Sequence, residues 1–256
     1  MKTLYFDCSM GAAGDMLTAA LLELFSDSDA VLTELNELKI PEVRFLRETA
    51  VKCGIQGTHI SVKINGVEEH EHHHEEHFHE QGHHQHRSMS DIGKIVTDLP
   101  LSSKVKEDIL AVYGLIAEAE SHVHGVPVTE IHFHEVGTMD AIADITAVCY
   151  LMDKLSPEKV VISPVHVGSG QVRCAHGILP VPAPATAYIL RDIPIYGGTI
   201  RGELCTPTGA ALLKHFATDF GSMPMMKVSN IGYGMGRKDF EAANCVRAMI
   251  GGAYDL

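Results

Sequence analysis

Between Glu68 and His86 the chain reads EEHEHHHEEHFHEQGHHQH, nine His and six Glu in nineteen residues, with Phe78 the only large apolar side chain. A segment of that composition cannot bury enough surface to offset the conformational entropy lost on ordering, so residues 68–87 are expected to form a flexible, disordered loop. Being internal, mixed with Glu and flanked by sequence that reads as folded, the stretch is not a purification tag. It divides the chain into an N-terminal α/β region, 1–67, and a remainder, 88–256, which have to supply the core between them. With 45% hydrophobic residues in 256, the flanks can do so as one sizeable core or two modest ones.

Outside the tract, strand and helix patterns alternate. Thr3 to Asp7 reads as a strand, Met10-Gly11-Ala12-Ala13-Gly14 as a turn and Asp15 to Phe25 as an apolar helix, followed by a second helix from Asp29 to Leu38. Val43 to Val51 and Thr58 to Ile64 read as strands joined by a turn at Cys53 to Gly57, the second strand alternating through Thr58, Ile60, Val62 and Ile64. Beyond Asp91 helical spacing returns, with Val105, Ile109, Val112, Ile116 and Val123 on one face of Lys104 to His124, which Gly125 and Pro127 stop. A strand at Thr129 to Glu135, a helix at Thr138 to Leu155 and a strand at Lys159 to Val167 follow. The rest is turn-rich, notably at Gly232 to Gly236, with helices expected at Pro184 to Arg191 and Pro207 to Asp219 and an apolar run from Cys245 to Ile250. The expected fold class is α/β, alternating strands and helices with a disordered His/Glu-rich insertion.

A formal charge of −13 disfavours nucleic acid, whose binding draws on Lys and Arg neutralising phosphates, and no basic stripe with interleaved aromatics is present. No apolar run reaches membrane-spanning length, and MKTLYFDCSM leads directly into a strand, so neither membrane insertion nor secretion is indicated. Six cysteines spread singly, without a C-x-x-C pair, fit a reducing cytoplasm. The seventeen histidines are the outlying number, because neutral imidazole with carboxylate is the donor set that borderline divalent metals prefer.

Within the tract, His72, His73, His74, His77 and His79 are interchangeable metal ligands without fixed geometry, which suits buffering or delivery. Nickel, zinc and copper would all bind, and a solvated acidic loop is the plainer alternative. In His132-Phe133-His134-Glu135 a strand would put both imidazoles on one face. Asp140 and Asp144, four apart on the next helix, could complete a shell with them, although packed histidines and aspartates loading the positive end of a helix would account for the same residues. The loop from Asp7 to Met16 lies between strand and helix, where backbone N–H groups and the helix dipole favour an anion. Gly11 and Gly14, together with Arg237 and Lys238 near a later glycine turn, are therefore the candidate cofactor-binding residues. The loop lacks a P-loop lysine and a full G-x-G-x-x-G, and Asp15 sets negative charge at the helix start; glycine punctuation alone would account for the same residues, and the two aspartates around the loop could instead hold a cation. Cys174 and His176 could share a face, without a motif that makes them a nucleophile pair.

Taken in order, DCSMGAAGDM, the His-rich insertion, HFHEVGTMDAIAD, VGSGQVRCAHGILPVPAPAT, GELCTPTGAALL and IGYGMGRKDF resemble the LarC family over essentially the whole chain. The resemblance implies a nickel chelatase of the lyase class, a cyclometallase that uses cytidine triphosphate to insert nickel into pyridinium-3,5-bisthiocarboxylic acid mononucleotide. The product is the nickel-pincer cofactor of lactate racemase, its eventual recipient. Family members extend into a smaller C-terminal domain expected to hold the cytidine nucleotide with Mn²⁺ or Mg²⁺; this chain is expected to lack it and to need that part as a partner. Inserting nickel at a ring carbon requires loss of a ring proton, for which His134, Glu135 and Asp140 are the candidate bases. The thiocarboxylate sulfurs would then draw the metal from imidazole and carboxylate donors. A non-catalytic nickel storage or delivery protein, and a metal-dependent hydrolase built on His132 and His134, are the other readings. A cytoplasmic homo-oligomer without nucleic-acid or membrane partners is the expected setting.

Overall fold

The computed structural model describes residues 1–68, 87–133, 135–174 and 177–254. The His/Glu tract from 69 to 86, and with it the expectation of disorder, lies outside the described residues.

Eight strands form one mixed sheet: β1 (Lys2–Asp7), β2 (Val43–Lys52), β3 (Ile55–Ile64), β4 (Val67–Glu68), β5 (Lys159–Ile162), β6 (Asp219–Phe220), β7 (Met226–Met235) and β8 (Cys245–Ala253). Their spatial order is β6-β5-β1-β8-β7-β3-β2, with β4 beside the end of β3. β1 runs parallel to β5 and antiparallel to β8, and β8 runs antiparallel to β7. Strands from both sides of the tract thus interleave, and the two flanks build one core. The sheet is joined by α1 (Gly14–Leu22), α2 (Ser28–Glu37), α3 (Met89–Asp98), α4 (Ser103–His124), α5 (Met139–Leu155), α6 (Pro184–Ile189) and α7 (Pro207–Phe216), which makes the fold mixed α/β.

Local chemistry explains most boundaries. The β2–β3 turn is tighter than expected, two residues long, because Cys53 and Gly54 both adopt positive φ (48° and 79°) as a short hairpin requires. Ser102 accepts the Val105 N–H at the start of α4, and Gly125, left-handed at φ 67°, ends it. Val105, Ile109, Val112 and Ile116 are buried as their spacing predicts, whereas Val123 is 38% exposed on the last turn. The helix expected to run to Phe25 stops at Leu22, since Asp27 caps a new helix by accepting the Ala30 N–H. The strand expected over Lys159 to Val167 breaks after Ile162, where the chain turns at Ser163-Pro164 and the Ser163 hydroxyl accepts the Cys8 N–H.

Two expectations are corrected. Gly232 to Gly236 is not a turn: all but Gly236 belong to β7, among the longest strands. The glycines face α1, where a β-carbon would lie 2.0 Å from the Ala20 carbonyl at Gly232 and 1.8 Å from that of Met16 at Gly234. They are glycine so that an almost wholly buried helix can lie directly on the strand. Conversely, Thr129 to Glu135 is not a strand. Short 3₁₀ turns occupy Val128–Glu130 and Glu135–Gly137, and between them Phe133 makes an isolated bridge to Arg87. Ile131 and Phe133 are buried and His132 is exposed, so the alternation read as a strand comes from one extended step.

Candidate functional site

The N-termini of α1 and α5 meet, and carboxylates collect there. Thr138 caps α5 by accepting the Ala141 N–H at 3.3 Å, which fixes Asp140 in the first turn and Asp144 one turn further on. Asp144 reaches across to α1, whose own N-cap, Ala13, offers no side-chain acceptor; the Asp144 carboxylate takes the Asp15 N–H instead. Gly14 makes this approach possible, since a β-carbon there would stand 2.5 Å from a carboxylate oxygen of Asp144.

Asp144 is only 8% exposed, and its Oδ1 has no hydrogen-bond partner. Burial first, then the negative charges of Asp140 and Asp15, push its carboxyl well above the ordinary carboxylate range, against the opposing pull of Arg237. A buried acid whose Oδ1 lacks a hydrogen-bond partner, beside two further aspartates and one guanidinium, marks a place where a proton is held.

The end of the His/Glu tract is pinned beside this junction. The Arg87 carbonyl accepts the Phe133 N–H at 2.9 Å, and its guanidinium donates to the Gly137 carbonyl at 2.7 Å, two residues before α5. Phe133 is held in turn by the ring of Tyr113, 5.8 Å between centroids, whose hydroxyl donates to the Val136 carbonyl. His132 is exposed at this place. His134, the Glu135 side chain, and His72, His73, His74, His77 and His79 lie outside the described residues. Among the described residues no three His, Cys, Asp or Glu side chains assemble into a metal-holding group.

The loop after β1 is bonded within the chain. Ser9 N–H donates to Asp7, Gly11 N–H to the Cys8 carbonyl and Ala12 N–H to the Leu204 carbonyl, while Asp15 and Met16 N–H groups go to Asp144 and Asp15 carboxylates. Gly11, at φ 82°, packs so closely on Leu204 that a β-carbon would fall 1.9 Å from its carbonyl oxygen. Both loop glycines therefore serve chain packing. Arg237 and Lys238 follow β7, on a loop held by the β2–β3 hairpin: Lys52 Nζ donates to the Arg237 carbonyl at 3.1 Å and pairs with Asp239, and Asn244 donates to the Lys238 carbonyl at 2.8 Å. Arg237 is exposed yet within electrostatic reach of Asp144. Cys174 lies on a small hairpin, and its suggested partner His176 is outside the described residues.

Sequence reasoning placed Asp15 among the aspartates around the loop after β1 but did not join it to Asp144, and it missed Arg87. Asp15 was legible as charge at a helix start but not as a neighbour of Asp144, which depends on the α1–α5 crossing. Arg87 carries no motif.

The chain matches a family model described as "Nickel insertion protein" over residues 4–255. It is similar to proteins called "Pyridinium-3,5-bisthiocarboxylic acid mononucleotide nickel insertion protein" from three organisms. With that of Clostridium kluyveri it shares 44% identity, covering 98% of this chain and 62% of the relative. With that of Geobacillus kaustophilus it shares 40%, covering 98% and 60%, and with that of Desulfitobacterium hafniense 40%, covering 100% and 60%. The chain thus spans about three fifths of the length of these curated relatives. No solved structure matches it.

Proposed function

Because the chain belongs to the nickel insertion protein family, we propose that it inserts nickel into pyridinium-3,5-bisthiocarboxylic acid mononucleotide, the compound in its relatives' names. The reaction would be a cyclometallation of the lyase class that yields the nickel-pincer cofactor of lactate racemase, in the cytoplasm. The observation that carries this reading at the level of residues is the anchoring of Arg87 against Phe133 and Gly137. It tethers one end of a tract rich in nickel donors next to His132, Asp140 and Asp144, so a metal gathered by His72, His73, His74, His77 and His79 is held at high effective concentration beside the carboxylates.

His132, His134, Asp140 and Asp144 then pass nickel to the substrate, in the direction set by the preference of a late divalent ion for thiocarboxylate sulfur. As the nickel–carbon bond forms, the ring C–H breaks and its proton moves to His134, Glu135 or Asp140. We assign Arg237 and Lys238 to the substrate's phosphate, a reading supported by the exposure of Arg237 and its electrostatic reach to Asp144. At the start of α1 the Asp144 carboxyl already accepts the Asp15 N–H, which favours placing a triphosphate elsewhere. We assign cytidine triphosphate and its Mn²⁺ or Mg²⁺ to the further length the relatives possess.

The test is to incubate the chain, with and without the remaining part of a relative, with nickel, cytidine triphosphate and the thiolated nucleotide, and to weigh the product. Metallated nucleotide in the combined sample supports the proposal. None in either sample, with the precursor intact, removes it. The composition of the tract favours a second reading, a nickel store or delivery protein. It predicts nickel uptake without any metallated product under the same conditions.

A further inference from the structure

His166 lies outside the carboxylate junction and is 6% exposed. Its Nδ1 is 2.8 Å from the Ser9 carbonyl oxygen and its Nε2 is 3.0 Å from that of Gly197. Its backbone N–H donates to the Cys8 carbonyl at 3.1 Å, so main chain and ring both seize the loop after β1. The imidazole stacks on Tyr196, 4.6 Å between ring centroids and 13° between planes, and the Tyr196 hydroxyl donates to the same Ser9 carbonyl. Gly198 closes the cradle: a β-carbon there would be 2.2 Å from Nε2.

Carbonyl oxygens only accept hydrogen bonds. A neutral imidazole has one N–H and one lone pair, so one of these two contacts would set lone pair against lone pair inside the protein. A proton on each nitrogen satisfies both oxygens, and the charge is met by two carbonyl dipoles and the face of Tyr196. Of the ionisable groups nearest the stacked Tyr196, Asp7 is paired with Arg247 at 2.7 Å and Cys8 is a buried thiol. With both nitrogens engaged, the ring is not available as a metal ligand.

We propose that His166 is a positioning residue that carries a proton on each ring nitrogen and braces the loop after β1 against the Gly197-Gly198 turn, holding the loop whose far end brings Asp15 to Asp144. The inference rests on the nickel-insertion reading for what the loop is held in place to do; the brace itself does not depend on it.

Long-range proton–nitrogen correlation spectra of the full chain at neutral pH test it. Two ring N–H signals from one histidine are expected, both lost in H166Q, whose amide can donate from one nitrogen only. In H166Q the Gly11 and Ala12 amides should exchange with solvent roughly tenfold faster, since a charge-assisted hydrogen bond to the loop is gone. A single ring N–H on His166 in the wild type overturns the proposal even if H166Q fails to fold, and so does unchanged exchange in a folded H166Q. Neither measurement involves nickel, so both expected results, together with no metallated nucleotide in either the chain or the combined sample, would refute the proposed function and leave the brace standing.

Discussion

A carboxyl group enclosed between two helix starts feels opposing forces: the helix dipoles favour its charge, while the loss of water and the nearby Asp15 and Asp140 disfavour it. At Asp144 the second set dominates. Its folded-state affinity for a proton exceeds that in the unfolded chain, so the sign of the pH effect follows. In strong acid the group is neutral in both states; as pH rises through the ordinary carboxylate range, only the unfolded chain releases its proton, and stability falls until the folded group ionises too. D144N should remove that decline. Thermal unfolding from acid to neutral pH should show a flatter profile, with the variant melting higher at neutral pH by roughly 2–4 °C for each kcal/mol recovered. It should also lose nickel insertion. A wild-type profile already as flat as that of D144N would refute the burial argument. G14A tests the same contact from the other helix, because its methyl group would displace the Asp144 carboxylate. We expect a loss of about 1–3 kcal/mol in denaturant titration and a fall in insertion.

Elements whose signals are local were legible in the sequence. β1, α2, α4 and α5 announced themselves by spacing, and α4 also by Gly125, which acts on backbone groups within a turn of itself. β7 did not. Gly232 and Gly234 look like turn residues in any window of sequence, and their purpose appears only when α1, some two hundred positions earlier, lies across them. Substituting Gly234 by Ala should therefore destabilise the chain by about 1–3 kcal/mol, measured by urea unfolding, whereas the same change at a true surface turn would cost far less. The carboxylate pair Asp140 and Asp144 was legible as one face of a helix. Its third member, Asp15, was not, because proximity across a helix crossing leaves no periodic trace. The opposite error arose at residues 131–133, where a two-residue alternation is too short to distinguish an extended step from a strand.

Across the whole molecule, the contributions of the tract and of the described residues are separable by experiment. Exchanging residues 69–86 for a Gly/Ser linker of equal length should lower bound nickel severalfold, read by metal analysis after gel filtration, and leave the melting temperature nearly unchanged. Insertion at saturating nickel should survive the exchange if the tract gathers metal and the junction uses it; its loss would place the tract in the chemistry. The sheet order has another outcome. β8, formed by residues 245–253, lies between β1 and β7, so a strand that follows the others of this sheet in sequence joins β1 to the β7-β3-β2 half. A nascent chain on the ribosome cannot close this sheet until β8 has left the exit tunnel, and until then β1 and β7 each present a bare hydrogen-bonding edge to the crowded cell. Synthesis of this protein should consequently lean on chaperones that shield such edges.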